Sequence, residues 1–274
     1  MAIITLSTDL GVQDYLVGAI KGQLLSENKS IQLIDITHHL IQTNYPHAAY
    51  SCSSAFKHFP EQTIHIVLLD IYSAKDLKIL VAVFNNQIII CPDNGILTLI
   101  TQTKPELIFS LSTKKENTFL QITQTIAKAV GNIIIKKPLN EIGITENNIV
   151  ERSALKPTIG NNWIEGQILF VDNFENVIIN ITKEVFDNEC RGRKFKIHFK
   201  RNETINTIQH NYASVHETEK LAFFNSAGYL EIAINKGNIA GLFGLNSYNE
   251  NMNQHAAAMQ NKWFYQTVQI IFED

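Results

Sequence analysis

Ala2-Ile3-Ile4-Thr5-Leu6-Ser7-Thr8-Asp9-Leu10-Gly11, followed by Asp14-Tyr15-Leu16-Val17-Gly18-Ala19-Ile20-Lys21-Gly22, is the stretch that decides the fold. Ala2–Leu6 is a short apolar run and reads as a buried strand. Thr8 to Gly11 makes a turn. Asp14 is placed to cap a helix from about Tyr15 to Leu25, with Val17, Ile20, Leu24 and Leu25 on one face. The pattern then repeats. Gln32 to Ile36 is a second strand ending in Thr37-His38-His39, and Pro46 sits early in a helix from about Ala48 to Phe59 that Pro60 ends. Ile64 to Leu69 is a third strand, ending at Asp70. Val81–Asn85 and Gln87–Cys91 read as a strand pair turning at Asn85-Asn86. This alternation predicts an α/β N-terminal domain with a Rossmann-like layered sheet of parallel strands. Asp9, His38 and Asp70 each fall at the C-terminal end of a strand, the edge where open α/β sheets take ligands.

The pattern changes near residue 151. Glu151 to Asn162 holds Pro157 and Gly160 and lacks helical periodicity. After it come short alternating runs: Ile168–Val171, Val177–Ile181, Phe195–Phe199, Lys220–Phe224 and Tyr229–Ile234. The reading is an α/β domain over 1–150, a linker over 151–162, and a smaller all-β, barrel-like domain over 163–274. The aromatic stretch Lys262-Trp263-Phe264-Tyr265 to Phe272 reads as a terminal strand, packed in that domain or at a subunit interface.

Composition narrows the function classes. The chain has 274 residues, 45% apolar and 18% charged, as an ordinary globular protein does. A formal net charge of -3 argues against a broad nucleic-acid-binding surface. Cys52, Cys91 and Cys190 are far apart, so neither a disulfide framework nor a zinc knuckle is expected. His38-His39 point to opposite faces of a strand and chelate poorly. No metal motif, P-loop, nucleotide-fold glycine fingerprint or GxSxG elbow is present. No apolar run approaches the roughly 20 residues that span a bilayer, and no signal peptide is seen, so a cytoplasmic location is expected.

Six short motifs, in order along most of the chain, resemble the S-adenosylmethionine (SAM) hydroxide adenosyltransferase family, which is related to the fluorinase and chlorinase enzymes. They are the opening stretch above; Asp35-Ile36-Thr37-His38; Phe59 to Ile66, leading to Asp70; Pro92-Asp93-Asn94-Gly95-Ile96-Leu97-Thr98; Val171-Asp172-Asn173-Phe174-Glu175-Asn176-Val177 to Ile181; and Asn225-Ser226-Ala227-Gly228-Tyr229-Leu230-Glu231-Ile232-Ala233 with Gly237-Asn238. The resemblance implies SAM as substrate or ligand, with no separate cofactor and no metal. Water attacks the ribose C5′ and displaces methionine, leaving adenosine. It also implies a homotrimer, with each site between the first domain of one subunit and the second domain of its neighbour.

By motif, the resemblance gives Asp9 the ribose diol, since a carboxylate only accepts and the diol donates. Without it, Asp9 reads as a cap or turn former. Asp14, Tyr15 and Leu16 match a segment lining the ligand pocket. Asp172 and Asn176 match contacts to the methionine and adenine portions, against a reading as β-turn residues. Ser226 matches a contact to the amino-acid end. Ile234, Asn235 and Lys236 match a stretch reading the adenine edge through backbone groups. Pro92–Gly95 reads as a turn and packing element.

The catalytic set departs from the family's Asp–Arg–His. Asp70 matches the Asp. The turn Ile71 to Asp76 has lost the family's glycines, and the Arg position falls on Leu77, or on Lys78 if the turn holds one extra residue. Lysine lacks the planar fork of arginine. Leu120 stands where the His is expected and handles no proton. Tyr72 and Gln121 fall where nucleophile-pocket residues lie. Three functions stay open: a SAM hydrolase, a non-catalytic SAM or nucleoside binder, and a protein that kept only the fold.

Overall fold

The computed structural model describes residues 1–73, 77–114, 116–246 and 267–273, in two units, Met1–Ala154 and Leu155–Asp274. The first unit runs β1 (Ala2–Thr8), α1 (Leu16–Glu27), β2 (Ile31–Thr37), α2 (Tyr45–Phe56), β3 (Ile64–Leu68), β4 (Ile79–Phe84), β5 (Gln87–Pro92), α3 (Ile96–Thr101), β6 (Leu107–Leu111), α4 (Phe119–Ile134), α5 (Leu139–Ile142) and β7 (Ile144–Thr145). The strands form one sheet in the order β2-β1-β3-β5-β4-β6-β7. β3 is buried at all five positions, as expected for a strand covered on both faces. On one face, Ile20 and Leu24 of α1 and Ile126 and Val130 of α4 pack against Ile4, Leu6 and Ile66. On the other, Ala48 and Cys52 of α2 and Leu97 and Ile100 of α3 pack against Val67 and Leu69.

Three details correct the sequence reading. The sheet is mixed: β1, β2, β3 and β5 pair in parallel, but β4 runs antiparallel to β5 and β6. The cause is the hairpin at Asn85-Asn86, where both residues take left-handed φ values of 50° and 59°, the geometry of a type I′ turn. Second, α1 begins at Leu16 with Tyr15 as its N-cap residue, and the Asp14 carboxylate accepts only the neighbouring Tyr15 N–H at 2.6 Å. Third, α2 starts earlier and ends earlier than expected. Asn44 caps it by accepting the His47 N–H at 3.0 Å. The chain then tightens through His58 N–H to Ala55 O, so the helix stops before Pro60 acts on it.

The second unit runs β8 (Thr158–Ile159), β9 (Trp163–Val171), β10 (Val177–Thr182), α6 (Lys183–Cys190), β11 (Lys194–Lys200), β12 (Glu203–Ile205), β13 (Ile208–Gln209), β14 (Lys220–Phe224), β15 (Tyr229–Ile234), α7 (Ile239–Phe243) and β16 (Thr267–Glu273). Their order is β12-β11-β16-β9-β10-β15-β14-β13, with β8 on β9. Every pairing is antiparallel except β13 with β14. The sheet curls, and Glu203 near one end of the order pairs with Lys220 near the other. With α6 and α7 present, the unit is β-rich rather than all-β. β16 lies between β11 and β9 with Val268, Ile270 and Phe272 buried, so the terminal strand packs inside this unit. Lys262-Trp263-Phe264-Tyr265 lie outside the described residues.

Candidate functional site

In the first unit the site residues gather where β1 and β3 end. Asp9 Oδ2 accepts the Asp70 N–H at 2.8 Å and the Gln42 Nε2 amide at 2.8 Å. Asp9 itself donates N–H to Leu68 O at 3.2 Å. Asp70 takes a left-handed φ of 45°, unusual for a residue other than glycine. Its surroundings hold it there. Tyr45 OH donates to Asp70 Oδ2 at 3.1 Å, and the Asp70 carbonyl accepts Ser73 Oγ at 2.8 Å and Asn94 Nδ2 at 3.3 Å. A strained residue fixed from every side marks a candidate functional position. Burial first, and the Asp70 charge after it, push the Tyr45 phenol up to about 12, so it stays a donor.

A cation reaches this arrangement from outside the sequence motifs. The Arg152 guanidinium stacks 3.9 Å from the centroid of the Tyr45 ring, and its Nε donates to Asn94 O at 2.9 Å. It therefore braces Tyr45 and Asn94, two of the groups that hold Asp70. Gly95 makes room for it, because a Cβ there would stand 2.3 Å from Arg152 Cγ. The remaining nominated residues lie as follows. Lys78 Nζ bonds Glu146 Oε2 at 2.9 Å and holds that carboxyl below its usual range. Leu77 packs against the core beside α4. Asp14 is exposed, Tyr15 is 68% exposed, and Leu16 is half-buried at the start of α1. His38 is buried, with Nδ1 2.9 Å from Thr8 Oγ1 and Nε2 3.2 Å from Asp35 Oδ1, so it locks β1 to β2. Gln121 closes a capping box on α4, its Oε1 accepting the Thr118 N–H at 2.8 Å. Tyr72 is exposed, and residues 74–76 of its turn lie outside the described residues.

The second unit contains a pocket of about 520 Å³ lined by Phe174, Asn176, Tyr212, Ile234, Asn235, Lys236 and Gly237. Four of these were nominated from the sequence. The β9–β10 turn builds one wall. Asp172 Oδ1 accepts the Phe174 and Asn176 N–H groups at 2.8 and 2.9 Å, which swings Phe174 outward, 76% exposed. Asp172 thus performs the turn-forming role. Asn235 Nδ2 bonds Val215 O at 2.9 Å, Lys236 pairs with Glu217, and Ser226 is exposed in the β14–β15 turn. Beneath the pocket, Tyr212 OH hydrogen-bonds Glu231, which is only 4% exposed. Burial raises the Glu231 carboxyl and the Tyr212 phenol.

Models of the SAM hydroxide adenosyltransferase N-terminal and C-terminal domains match residues 4–143 and 166–250, the stretches that carry both clusters apart from Arg152. The chain belongs to the SAM hydroxide adenosyltransferase family. It is similar to an (R)-S-adenosyl-L-methionine hydrolase of Methanocaldococcus jannaschii, at 27% identity over 259 residues, covering 90% of this chain and 94% of that protein. A protein of the same name from Thermus thermophilus is 24% identical over 254 residues, covering 87% and 94%. The fold matches an uncharacterized conserved protein of Thermotoga maritima, with a TM-score of 0.80 at 23% identity and 98% and 99% of the two chains covered. It also matches a conserved hypothetical protein of Thermus thermophilus, with a TM-score of 0.72 at 20% identity over the whole of both chains. Among the described residues no group of His, Cys, Asp or Glu side chains is arranged to hold a metal, and no helix is long and apolar enough to cross a membrane.

For this family member, sequence reasoning missed Tyr45, Arg152 and Tyr212. None lies in a motif, and each is brought to the site by long-range packing. Phe174, Glu231 and Gly237 sat inside quoted motifs, where an aromatic at a turn tip was the available signal for Phe174.

Proposed function

We propose that this chain binds SAM through its adenosine portion and hydrolyses it far more slowly than a member with an intact Asp–Arg–His set. The observation that carries the reading is the pocket of the second unit. Its volume of about 520 Å³ falls in the range of small-ligand sites. Phe174 and Tyr212 offer aromatic faces for a base, and base–aromatic stacking is worth about 1–3 kcal/mol. The Asn235 N–H and carbonyl and the Gly237 N–H are bonded to Glu219, Thr218 and Ile234, so the backbone groups offered to a base edge are those of Lys236 and the Gly237 carbonyl. Both bonds to Asp9 fall on Oδ2, which keeps Oδ1 as an acceptor for ribose hydroxyls.

The reaction asks little of the protein. A water oxygen forms the C5′–O bond, the C5′–S bond breaks, and its electron pair leaves with methionine. The water's proton needs an acceptor, and Asp70 is the carboxylate proposed for it. The supporting groups are weak here. Lys78 is engaged with Glu146, Gln121 with the helix cap, and Leu120 carries no proton. Losing such a group lowers the rate by about 10²–10⁴-fold.

On the same reading the first unit is a Rossmann-like layer, the second is barrel-like, the assembly is a homotrimer and the location is cytoplasmic. Light scattering measures the assembly. Calorimetry with SAM and adenosine, on wild type and Phe174→Ala, tests the site. Micromolar binding weakened about tenfold or more by the substitution supports it, and no saturable heat at millimolar ligand sinks it.

A further inference from the structure

Asn176 is 2% exposed, and its side-chain amide has two N–H donors and one carbonyl acceptor to place. Nδ2 lies 3.4 Å from Asp172 Oδ2 and 3.1 Å from Tyr212 Oη. An ionised carboxylate only accepts. Tyr212 has a single hydroxyl hydrogen, and it is directed at Glu231 Oε1, so its oxygen must accept from Asn176. The far end of this chain is fixed as well. Asn225 Oδ1 accepts the Ala227 and Tyr229 N–H groups at 3.0 and 3.2 Å, so Asn225 Nδ2 can only donate, and it reaches Glu231 Oε2 at 3.3 Å. With Glu231 ionised, the direction of every bond from the β14–β15 turn to the pocket wall is therefore determined.

We infer that Tyr212 and Glu231 are positioning residues that leave Asn176 facing the pocket as an acceptor only, and so make the pocket select a six-amino purine over a six-oxo purine. This rests on the nucleoside reading above. The two amide hydrogens are engaged inside the protein, and the one group left for a ligand is the carbonyl oxygen. The exocyclic amine of adenosine donates to it. The carbonyl of inosine sets acceptor against acceptor, and a site built around a hydrogen bond rejects a ligand unable to make it more strongly than an apolar site rejects a change of size. The arrangement also accounts for the burial of Glu231. A carboxylate this deep is costly, and here it orders an amide that touches ligand.

The test is calorimetric titration of adenosine, inosine and purine riboside into the full chain at pH 8, for wild type, Tyr212→Phe and Glu231→Gln, with thermal melts to establish folding. Purine riboside lacks the amine without adding bulk. Wild type is expected to bind adenosine about tenfold or more tighter than either analogue. In both variants the ratio is expected to fall toward one, because the Asn176 amide is then free to turn. A purely structural role for the pair would weaken all three ligands together and leave the ratio intact, which would overturn the inference. So would equal binding of the three ligands by wild type, a readout that stands even where the variants fail to fold. Binding of none of the three by wild type would overturn the nucleoside reading itself, and this inference with it.

Discussion

The carboxylate of Asp9 accepts the backbone N–H of Asp70 at 2.8 Å, so the ends of β1 and β3 are joined by a side chain beyond the last rung of their ladder. Asp9 thus holds Asp70 in its left-handed turn, and in the function proposed above it also offers an acceptor to ribose. The two separate by substitution. Asp9→Asn keeps a carbonyl for the Asp70 N–H but presents an amine to donors. It is expected to hold most of the stability and to bind adenosine about tenfold more weakly. Asp9→Ala is expected to lose both, with about 1–2 kcal/mol of stability. Urea unfolding and calorimetry measure the pair, and an Asp9→Asn variant with wild-type affinity contradicts the ribose assignment.

Gly95 and Arg152 form a second coupled pair. At φ +91°, with a Cβ 2.3 Å from Arg152 Cγ, Gly95→Ala is expected to cost about 2–3 kcal/mol. Arg152→Ala loses its stacking on Tyr45, worth about 1 kcal/mol. Together they should cost less than the sum, because the shorter side chain relieves the clash. Additive losses in denaturant melts would show that Arg152 does not pack as described.

Gln121 stands where a nucleophile-pocket residue was expected, yet its side chain closes the capping box of α4 with Thr118. Thr118→Ala is expected to lower stability by about 1 kcal/mol, and Gln121→Ala by less. Neither should change SAM affinity, read by calorimetry. A Gln121→Ala variant that binds SAM tenfold more weakly would return this residue to the ligand site.

Acid should destabilise the first unit through His65. The ring is buried, stacked 3.7 Å from Phe56, with Nδ1 2.7 Å from Thr5 Oγ1, and burial lowers its pKa from 6.5 to about 4. The folded state favours the neutral ring, so the unfolded chain takes up the proton first. The stabilisation is complete above the unfolded value of 6.5 and is lost as pH falls toward 4. Between pH 7 and 5 the loss from this group is about 1–2 kcal/mol. His47, lowered to about 4 by burial, acts in the same direction. Urea midpoints at the two pH values measure the slope, and His65→Gln should flatten it.

The strand ends were legible because apolar runs that stop at Thr8-Asp9 and Leu69-Asp70 carry their own punctuation. The mixed sheet was half legible: Asn85-Asn86 announced the hairpin, while the β6 pairing on β4 joins segments with no shared local signal. The early start of α2 was hidden because Asn44 lies in a stretch with no apolar period. In the pocket, Asn176 was named because it sits in a motif, and Ile234 to Lys236 because they lie between the two parts of the last one. Tyr212 was not, since it follows an irregular loop and reaches the site only when β14 and β15 bring Phe223 and Glu231 alongside it. Arg152 was missed for the same reason. Its place over Tyr45 depends on a contact between residues a hundred positions apart, made possible by a glycine in a third segment.

The central claim is that the adenosyl pocket persists while water handling is weakened. Equilibrium dialysis of the purified chain against labelled SAM, followed by chromatography of the retained label, tests both halves at once. The prediction is saturable retention with most of the label recovered as intact SAM. Absence of retention, or conversion to adenosine at the rate of a hydrolase with the full Asp–Arg–His set, would contradict it.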